Sequence, residues 1–398
     1  MQQKDSWLLP EGIEEILPEE AKYLENLRSR LLQLFNCWGY ELVIPPMIDF
    51  IDSLLTGSGH DLDLQTFKLT DQISGKTLGF RADMTPQVAR MDAHQLKQVH
   101  PTRLCYVGTV LHTRGDPLEK TRSPMQIGAE LYGHAGIESD VEVINLMLET
   151  LAYSGVLNVH LDLGHVGIFR GLSKQAGLDR AVESNLFDVL QRKAKHELVE
   201  LMAELSLNDD VKTMLLRLPE LNGGIEVIEK AHNALVNADT DVHQALTEIE
   251  KIADKLAHRY PNLPISFDLA ELRGYHYHTG AVFAAFVPEI GREIARGGRY
   301  DNIGAVFGRA RPATGFSADL KVLALLGKRT AQELITKRIF APFLANDEIE
   351  ETIRDLRAKG HTVIRQLPGQ TGGAKEMGCN AVLVEHDHGW AIKKTLED

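Results

Sequence analysis

Cysteine is scarce in this chain. Cys37, Cys105 and Cys379 are the three in 398 residues, far apart and without a CxxC pair. That spacing offers no thiolate metal site, and it suits free thiols in a reducing compartment. Long apolar runs are missing as well. No stretch approaches the roughly 20 residues that would span a bilayer. The opening MQQKDSWLLPEGIEEILPEE carries acidic residues where a signal peptide would carry positive charge and an apolar core. A cytoplasmic protein is expected, with no membrane partner. Positive charge is in short supply too: 43 Lys and Arg face 56 Asp and Glu, a net charge of -13. Proteins that grip nucleic acid normally carry a basic face, because phosphate neutralisation supplies most of the affinity. The balance argues against RNA as a partner, although it is compatible with a local basic patch.

What is present is ordinary globular sequence, 43% hydrophobic and 25% charged, long enough for two or three domains. Residues 17–38 predict an amphipathic helix, with Leu24, Leu27, Leu31, Leu34, Phe35 and Trp38 at helical spacing. Pro18, Glu19 and Glu20 suit its first turn and Gly39 its stop. The segment 40-YELVIPPM-47 predicts a strand closed by prolines, which places it at an edge or an interface. A hairpin is expected over 66–81 with Ser74-Gly75 at the turn, then a helix after Pro86, then strands at 103–113 and 125–133. Ser139 and Glu142 read as a capping box at the start of the next helix, whose stripe is Val141, Ile144, Leu148 and Leu151. The strand 158-NVHLDLG-164 alternates cleanly.

From about 166 to 260 the strand signals stop and the chain becomes charged and helical, as in 179-DRAVESNLFDVLQRKAKHELVELMAEL-205. This reads as a helical insertion in a β-rich unit. Strands resume over 265–287 and 292–301, and a helix at about 316–327 closes the unit. The remaining residues alternate strand, helix, strand, short helix, strand, which argues for a small α/β domain. Two domains are expected: 1–327 and 328–398.

Two features resemble chemistry without carrying it. The loop 369-GQTGGAK-375 lacks the Gly-Lys-Ser/Thr of a phosphate loop, since Ala374 precedes Lys375 and Glu376 follows. The pairs His276/His278 and His386/His388 share a strand face, but neither has an evident third ligand nearby in sequence. No metal and no cofactor are expected.

Four segments together do carry information: 80-FRADMT-85, 107-VGTVLHTRGDP-117 with 125-MQIGAELYG-133, 273-RGYHYHTG-280, and 297-GGRYDNIGAVFGRARPATGF-316. In this order and spacing they resemble histidyl-tRNA synthetase, from about residue 10 to 327. The resemblance implies a class II synthetase-like fold, α+β, with a mixed antiparallel sheet flanked by helices. It also implies a histidine pocket. Asp83 stands where the family has a glutamate facing the α-ammonium, with Thr85 and Gln126 assisting. Glu130, four residues beyond Gln126 on one strand, falls on the same face and would take the imidazole N–H. Arg273 would pair with the carboxylate, and Tyr277 and Tyr300 would wall the site. His278 departs from the family, which has a second tyrosine there.

The nucleotide side departs further. Adenylate formation builds negative charge on the α-phosphate, and fixed cations must stabilise it. The family's first arginine position is His112, its following glutamate position is Arg114, and its second arginine position, in 315-GFSADLKVL-323, is Val322. Losing one such contact typically costs ~10²–10³ in rate. The pattern resembles the regulatory subunit of ATP phosphoribosyltransferase (the HisZ family), a paralogue of histidyl-tRNA synthetase. That resemblance implies a non-catalytic chain partnered with a short-form catalytic subunit, in the first step of histidine biosynthesis, under feedback by histidine. It implies a homodimer, formed through residues 18–50, within a hetero-oligomer, and no tRNA. The C-terminal piece looks like a shortened anticodon-binding domain. Histidine would sit either in the old pocket or at the contact with the catalytic subunit. The rival readings are a divergent histidyl-tRNA synthetase and a class II-like amino acid ligase.

Overall fold

The computed structural model describes residues 7–55, 60–115, 121–270, 274, 275, 277–327, 337–344, 347–386 and 389–395. The chain divides into two compact units, Met1–Lys328 and Arg329–Asp398. In the first, a nine-stranded sheet runs in the order β1-β5-β6-β12-β11-β10-β7-β9-β8. Its strands are β1 (Glu41–Leu42), β5 (Thr102–Thr109), β6 (Met125–Tyr132), β7 (His160–His165), β8 (Asn222–Gly223), β9 (Ile265–Asp268), β10 (Ala281–Val287), β11 (Ile290–Arg299) and β12 (Ala313–Asp319). A small sheet of β2 (Ile48–Phe50), β3 (Lys68–Thr70) and β4 (Thr77–Phe80) stands beside it in the chain order. Pairing in the large sheet is antiparallel except at β1/β5 and β7/β9.

The strand period of two sorts residues onto faces. Ile127, Ala129 and Leu131 of β6 enter the main apolar core. Helix α1 (Pro18–Cys37) adds Leu24, Leu27, Leu31, Leu34 and Phe35 to that core. Helix α5 (Ile137–Tyr153) and the long α11 (Thr240–Arg259) add further stripes to it. The alternate residues of β6, Gln126, Gly128, Glu130 and Tyr132, face the other way. Helix α4 (Thr85–Arg90, continued as a π-helical turn over Met91–Leu96) belongs to that side through Val88 and Ala89, and α2 (Ile51–Leu55) and α3 (His60–Gln65) precede it in the chain. The stretch 166–259 holds α6 (Val166–Gln175), α7 (Arg180–Gln191), α8 (Lys195–Glu204), α9 (Asp209–Arg217), α10 (Glu226–Ala234) and α11, broken by the two-residue β8. Helix α12 (Leu320–Leu326) follows β12 directly.

The second unit pairs β13 (Arg338–Ala341) in parallel with β14 (Thr362–Arg365) and β15 (Ala381–His386), and β15 antiparallel with β16 (Gly389–Lys394). Helix α13 (Asp347–Ala358) buries Ile349, Ile353 and Leu356 on this sheet.

Several sequence expectations need correction. The strand expected over 40–47 is reduced to Glu41–Leu42, because the prolines at 45 and 46 leave no ladder to extend; it does lie at the sheet edge. The strand expected to 113 ends at Thr109, and the helix expected from 316 starts at Leu320 because β12 continues to Asp319. Ser139 caps nothing. The N-cap is Gly136, Ser139 Oγ bonds to the Gly136 carbonyl, and Glu142 is drawn away by Arg103 and Tyr40. The short helix expected in the tail is a run of turns, and β16 had no counterpart in the sequence reading.

Candidate functional site

The candidate residues on the face of β6 away from the main core form one hydrogen-bonded string. Gln126 accepts from the backbone N–H of Met84 (2.9 Å) and donates through Nε2 to Asp83 (2.8 Å). The same Asp83 oxygen accepts the Thr85 N–H (3.0 Å). Thr85 Oγ1 lies 3.1 Å from the Tyr106 hydroxyl, which donates to Glu130 Oε1 at 2.9 Å. The Tyr300 hydroxyl donates to the other Glu130 oxygen. Tyr277 and Tyr300 lie with ring centroids 5.0 Å apart and planes tilted by 30°. Asp83, Thr85, Gln126, Glu130, Tyr277 and Tyr300 are therefore brought together. Arg273 and His276 lie outside the described residues, as does His388.

The arrangement depends on strand registry. Glu130 pairs across β6/β12 with Gly315, and Tyr106 across β5/β6 with Gly128. A Cβ on Gly315 would come within 1.5 Å of the Glu130 carboxylate, and one on Gly128 within 2.5 Å of the Tyr106 hydroxyl. The glycines strip the sheet floor so that the carboxyl and the phenol can lie flat on it.

Glu130 is 1% exposed. Burial pushes its carboxyl up to about 8, with the Asp83 charge acting in the same direction, against the pull of the Tyr300 and Tyr106 hydroxyls. The Tyr277 hydroxyl is buried with no hydrogen-bond partner among the described residues. It is one of several buried polar atoms without a partner among the described residues, Gln87 Oε1 and Asn145 Oδ1 being others, and a polar ligand is one way to satisfy it. The cluster thus offers carboxyl groups, a carboxamide and aromatic walls to a small, polar, ring-bearing molecule. Tyr106 was missed by the sequence reading. Its available signal was its place on the period-two face that also carries Gly108.

The other end of the sheet is different. His112 is half-buried and its Nε2 lies 2.9 Å from the Ala82 carbonyl. Arg114 is exposed in the turn after β5. Val322 is 6% exposed and belongs to the main core. Lys321 is tied to Glu14 at 2.9 Å. Arg81 spends its guanidinium on the carbonyls of Thr109 (3.0 Å) and Pro45 (2.7 Å). Asp319, opposite Gln126, caps α12 through Oδ1, while its Oδ2 is buried without a hydrogen-bond partner. Burial pushes the Asp319 carboxyl above its usual range. Where phosphate would need cations, these side chains are apolar, already paired or acidic, except Arg114, which is exposed in its turn.

Comparison with known proteins gives this geometry a family. Residues 12–323 match the family model described as histidyl-tRNA synthetase, and residues 336–393 match the ATP phosphoribosyltransferase subunit HisZ C-terminal domain. The ATP phosphoribosyltransferase regulatory subunit of Methylococcus capsulatus is 57% identical, over 98% of this chain and 96% of that one. The protein of the same name from Pseudomonas aeruginosa is 54% identical, over 98% of each. The chain belongs to the ATP phosphoribosyltransferase regulatory subunit family. A Bacillus halodurans structure described as an ATP phosphoribosyltransferase regulatory subunit/histidyl-tRNA synthetase aligns with a TM-score of 0.81 at 30% identity, covering 94% of this chain and 96% of that one. Histidyl-tRNA synthetase from Nostoc shares the fold, with a TM-score of 0.74 at 16% identity over 95% and 91% of the two chains. The expected class II synthetase-like architecture is borne out by these structures.

Proposed function

We propose that this chain is a non-catalytic subunit that activates a separate, short-form ATP phosphoribosyltransferase catalytic subunit in the cytoplasm and takes part in feedback by histidine. The observation that carries the reading is the contrast along one sheet face. The Glu130 cluster is joined by hydrogen bonds and leaves the Tyr277 hydroxyl without a partner among the described residues, as a ligand pocket would. The nucleotide positions His112, Arg114 and Val322 present no arranged cation, which removes the electrostatic stabilisation that adenylate formation needs. Histidine would lie with its ammonium toward Asp83, Thr85 and Gln126, its imidazole toward Glu130, and its carboxylate toward Arg273, beside the stacked rings of Tyr277 and Tyr300. Binding there shifts the complex only by the difference in affinity between its active and inactive forms.

Homodimerisation through residues 18–50 is part of the proposal. The edge strand β1, the link after it and β2 of the small sheet expose Leu42, Ile44, Met47, Ile48 and Phe50. An unpaired strand edge with apolar neighbours calls for a cover. The net charge of -13 supports a partner other than tRNA. The domain roles follow the same reading: 1–327 as the synthetase-like core with its insertion, and 328–398 as a shortened anticodon-binding-like domain.

Reconstitution tests it. Phosphoribosyl transfer by the short catalytic subunit is measured with and without this chain, then with added histidine. Complex formation, a rate increase and inhibition by histidine are expected; no complex and no rate change would sink the reading. A divergent synthetase or ligase is the second reading, favoured by the match over residues 12–323. Amino-acid-dependent ATP–pyrophosphate exchange, abolished by Arg114→Ala, would establish it instead.

A further inference from the structure

The wall of the candidate pocket is carried by Gly274, Tyr275 and 277–280, and its anchor lies outside the sheet. Tyr275 is 5% exposed and sits among helices of the 166–259 stretch. Its ring packs edge-on to Phe169 of α6 (5.2 Å) and against Phe187 of α7 (5.4 Å). Its hydroxyl donates to Glu183 of α7. Arg170, also on α6, lies 5.0 Å over the Tyr275 ring. One nitrogen of that guanidinium, Nη2, donates to both the Tyr275 carbonyl (3.1 Å) and the His278 carbonyl (3.0 Å). Tyr277 lies between those two held points. Inside the loop, the N–H groups of Tyr277 and His278 both reach the Gly274 carbonyl (2.8 Å each), and Thr279 N–H reaches Arg299 (2.7 Å).

We infer that Arg170 is a positioning residue for the pocket: it clamps the loop so that Tyr277 stands against Tyr300 beside Glu130. The inference deepens the histidine-pocket reading and rests on it for the identity of the ligand. Its physical basis is a guanidinium that stacks on the Tyr275 ring while the two N–H groups of one nitrogen reach two loop carbonyls. A planar cation that stacks on a ring and bridges two carbonyls fixes a loop in a way a lysine ammonium does not. The consequence is a division of labour within the pocket. Glu130 and Gln126 are fixed by β6, and Asp83 sits just before α4, whereas the aromatic wall is set by α6 and α7. A movement of those helices therefore reaches the ring end of the pocket through Tyr275 and Arg170, leaving the carboxyl end in place.

The test uses the full chain with two readouts, amide hydrogen exchange without ligand and histidine titration by calorimetry. In Arg170→Ala, exchange at 277–279 rises at least about tenfold while the amides of 125–132 keep their wild-type rates. Histidine affinity falls at least about tenfold. Arg170→Lys keeps the charge and one carbonyl contact, and lies between wild type and Arg170→Ala in both readouts. Tyr275→Phe, which cuts the Glu183 link, moves both in the same direction by less. Unchanged exchange at 277–279 in Arg170→Ala overturns the clamp. So does a uniform rise that includes 125–132, because that marks general loss of structure. Wild-type protein that takes no histidine defeats the pocket reading, and the exchange readout still decides the clamp.

Discussion

The two ends of one sheet face obey opposite rules. At the Glu130 end, polar groups are buried, linked to one another and left with an unmatched hydroxyl on Tyr277. At the nucleotide end, the polar groups near the old cation positions are turned to other uses: His112 on a carbonyl, Lys321 on Glu14, Arg81 on two carbonyls and Asp319 as a helix cap, while Arg114 is exposed in its turn. The strands that carry both ends are the same, β5, β6 and β12. A site can therefore lose a reaction without losing backbone. It needs only that its cations be spent on neighbours and that one position be handed to the core.

The largest effect should come from trying to reverse that hand-over. Val322→Arg places a cation among Leu320, Leu323 and the rest of the main core. Stability should fall by at least about 3 kcal/mol in denaturant unfolding, the cost of burying an unpaired charge. ATP–pyrophosphate exchange should stay at background. A variant that unfolds like wild type and gains exchange would erase the contrast between the two ends.

Next in size is the proton on Glu130. Its folded value of about 8 lies above its unfolded value near 4.5, so the folded state holds the proton longer. The stabilisation is complete below about 4.5 and is lost as pH rises through 8, by a few kcal/mol at most. Unfolding free energy should thus decline across that window, and Glu130→Gln should flatten the decline. The same proton shapes ligand capture. Between the ordinary imidazole value of about 6.5 and about 8, a neutral ring meets a protonated carboxyl, and the pair shares one proton. Histidine affinity should be flat in that interval. It should weaken below it, where a proton must leave, and above it, where one must be taken up. An affinity that keeps rising to pH 9 would mean that Glu130 does not meet the ring.

Gly315→Ala attacks the same end sterically. The new methyl would meet the Glu130 carboxyl, which two phenols hold in place, and also the Ala129 carbonyl. A carboxyl displaced by about 1 Å should cost on the order of 10²-fold in histidine affinity. Wild-type affinity in this variant would show that the pocket tolerates a shifted carboxyl.

Much of this was legible before any coordinates. The stripe of α1, the alternation of β6 and β7, and the shared face of Gln126 and Glu130 are periodicities, and periodicity survives folding. Less legible were features set by long-range partners. Ser139 has the local pattern of a cap, yet Arg103 from β5 takes Glu142 and Arg299 from β11 takes Ser139. Tyr106 and Glu130 meet only because glycines at 128 and 315 clear the floor, and that follows from registry. The Asp319 cap was hidden because β12 runs four residues into the expected helix.

The smallest expected effect is also the most discriminating at the nucleotide end. Lys321 is the cation next to Val322, and its partner Glu14 is more than half exposed. Glu14→Gln should cost only about 0.2–1 kcal/mol, as exposed pairs do. If pairing with Glu14 were what silenced Lys321, the variant would acquire measurable ATP–pyrophosphate exchange. None is expected. Residues 321 and 322 are neighbours on a helix, about 100° apart, so an ammonium released from Glu14 still leaves from the wrong side of α12. Exchange in Glu14→Gln would place the loss of chemistry in one salt bridge instead of in the redirected face as a whole.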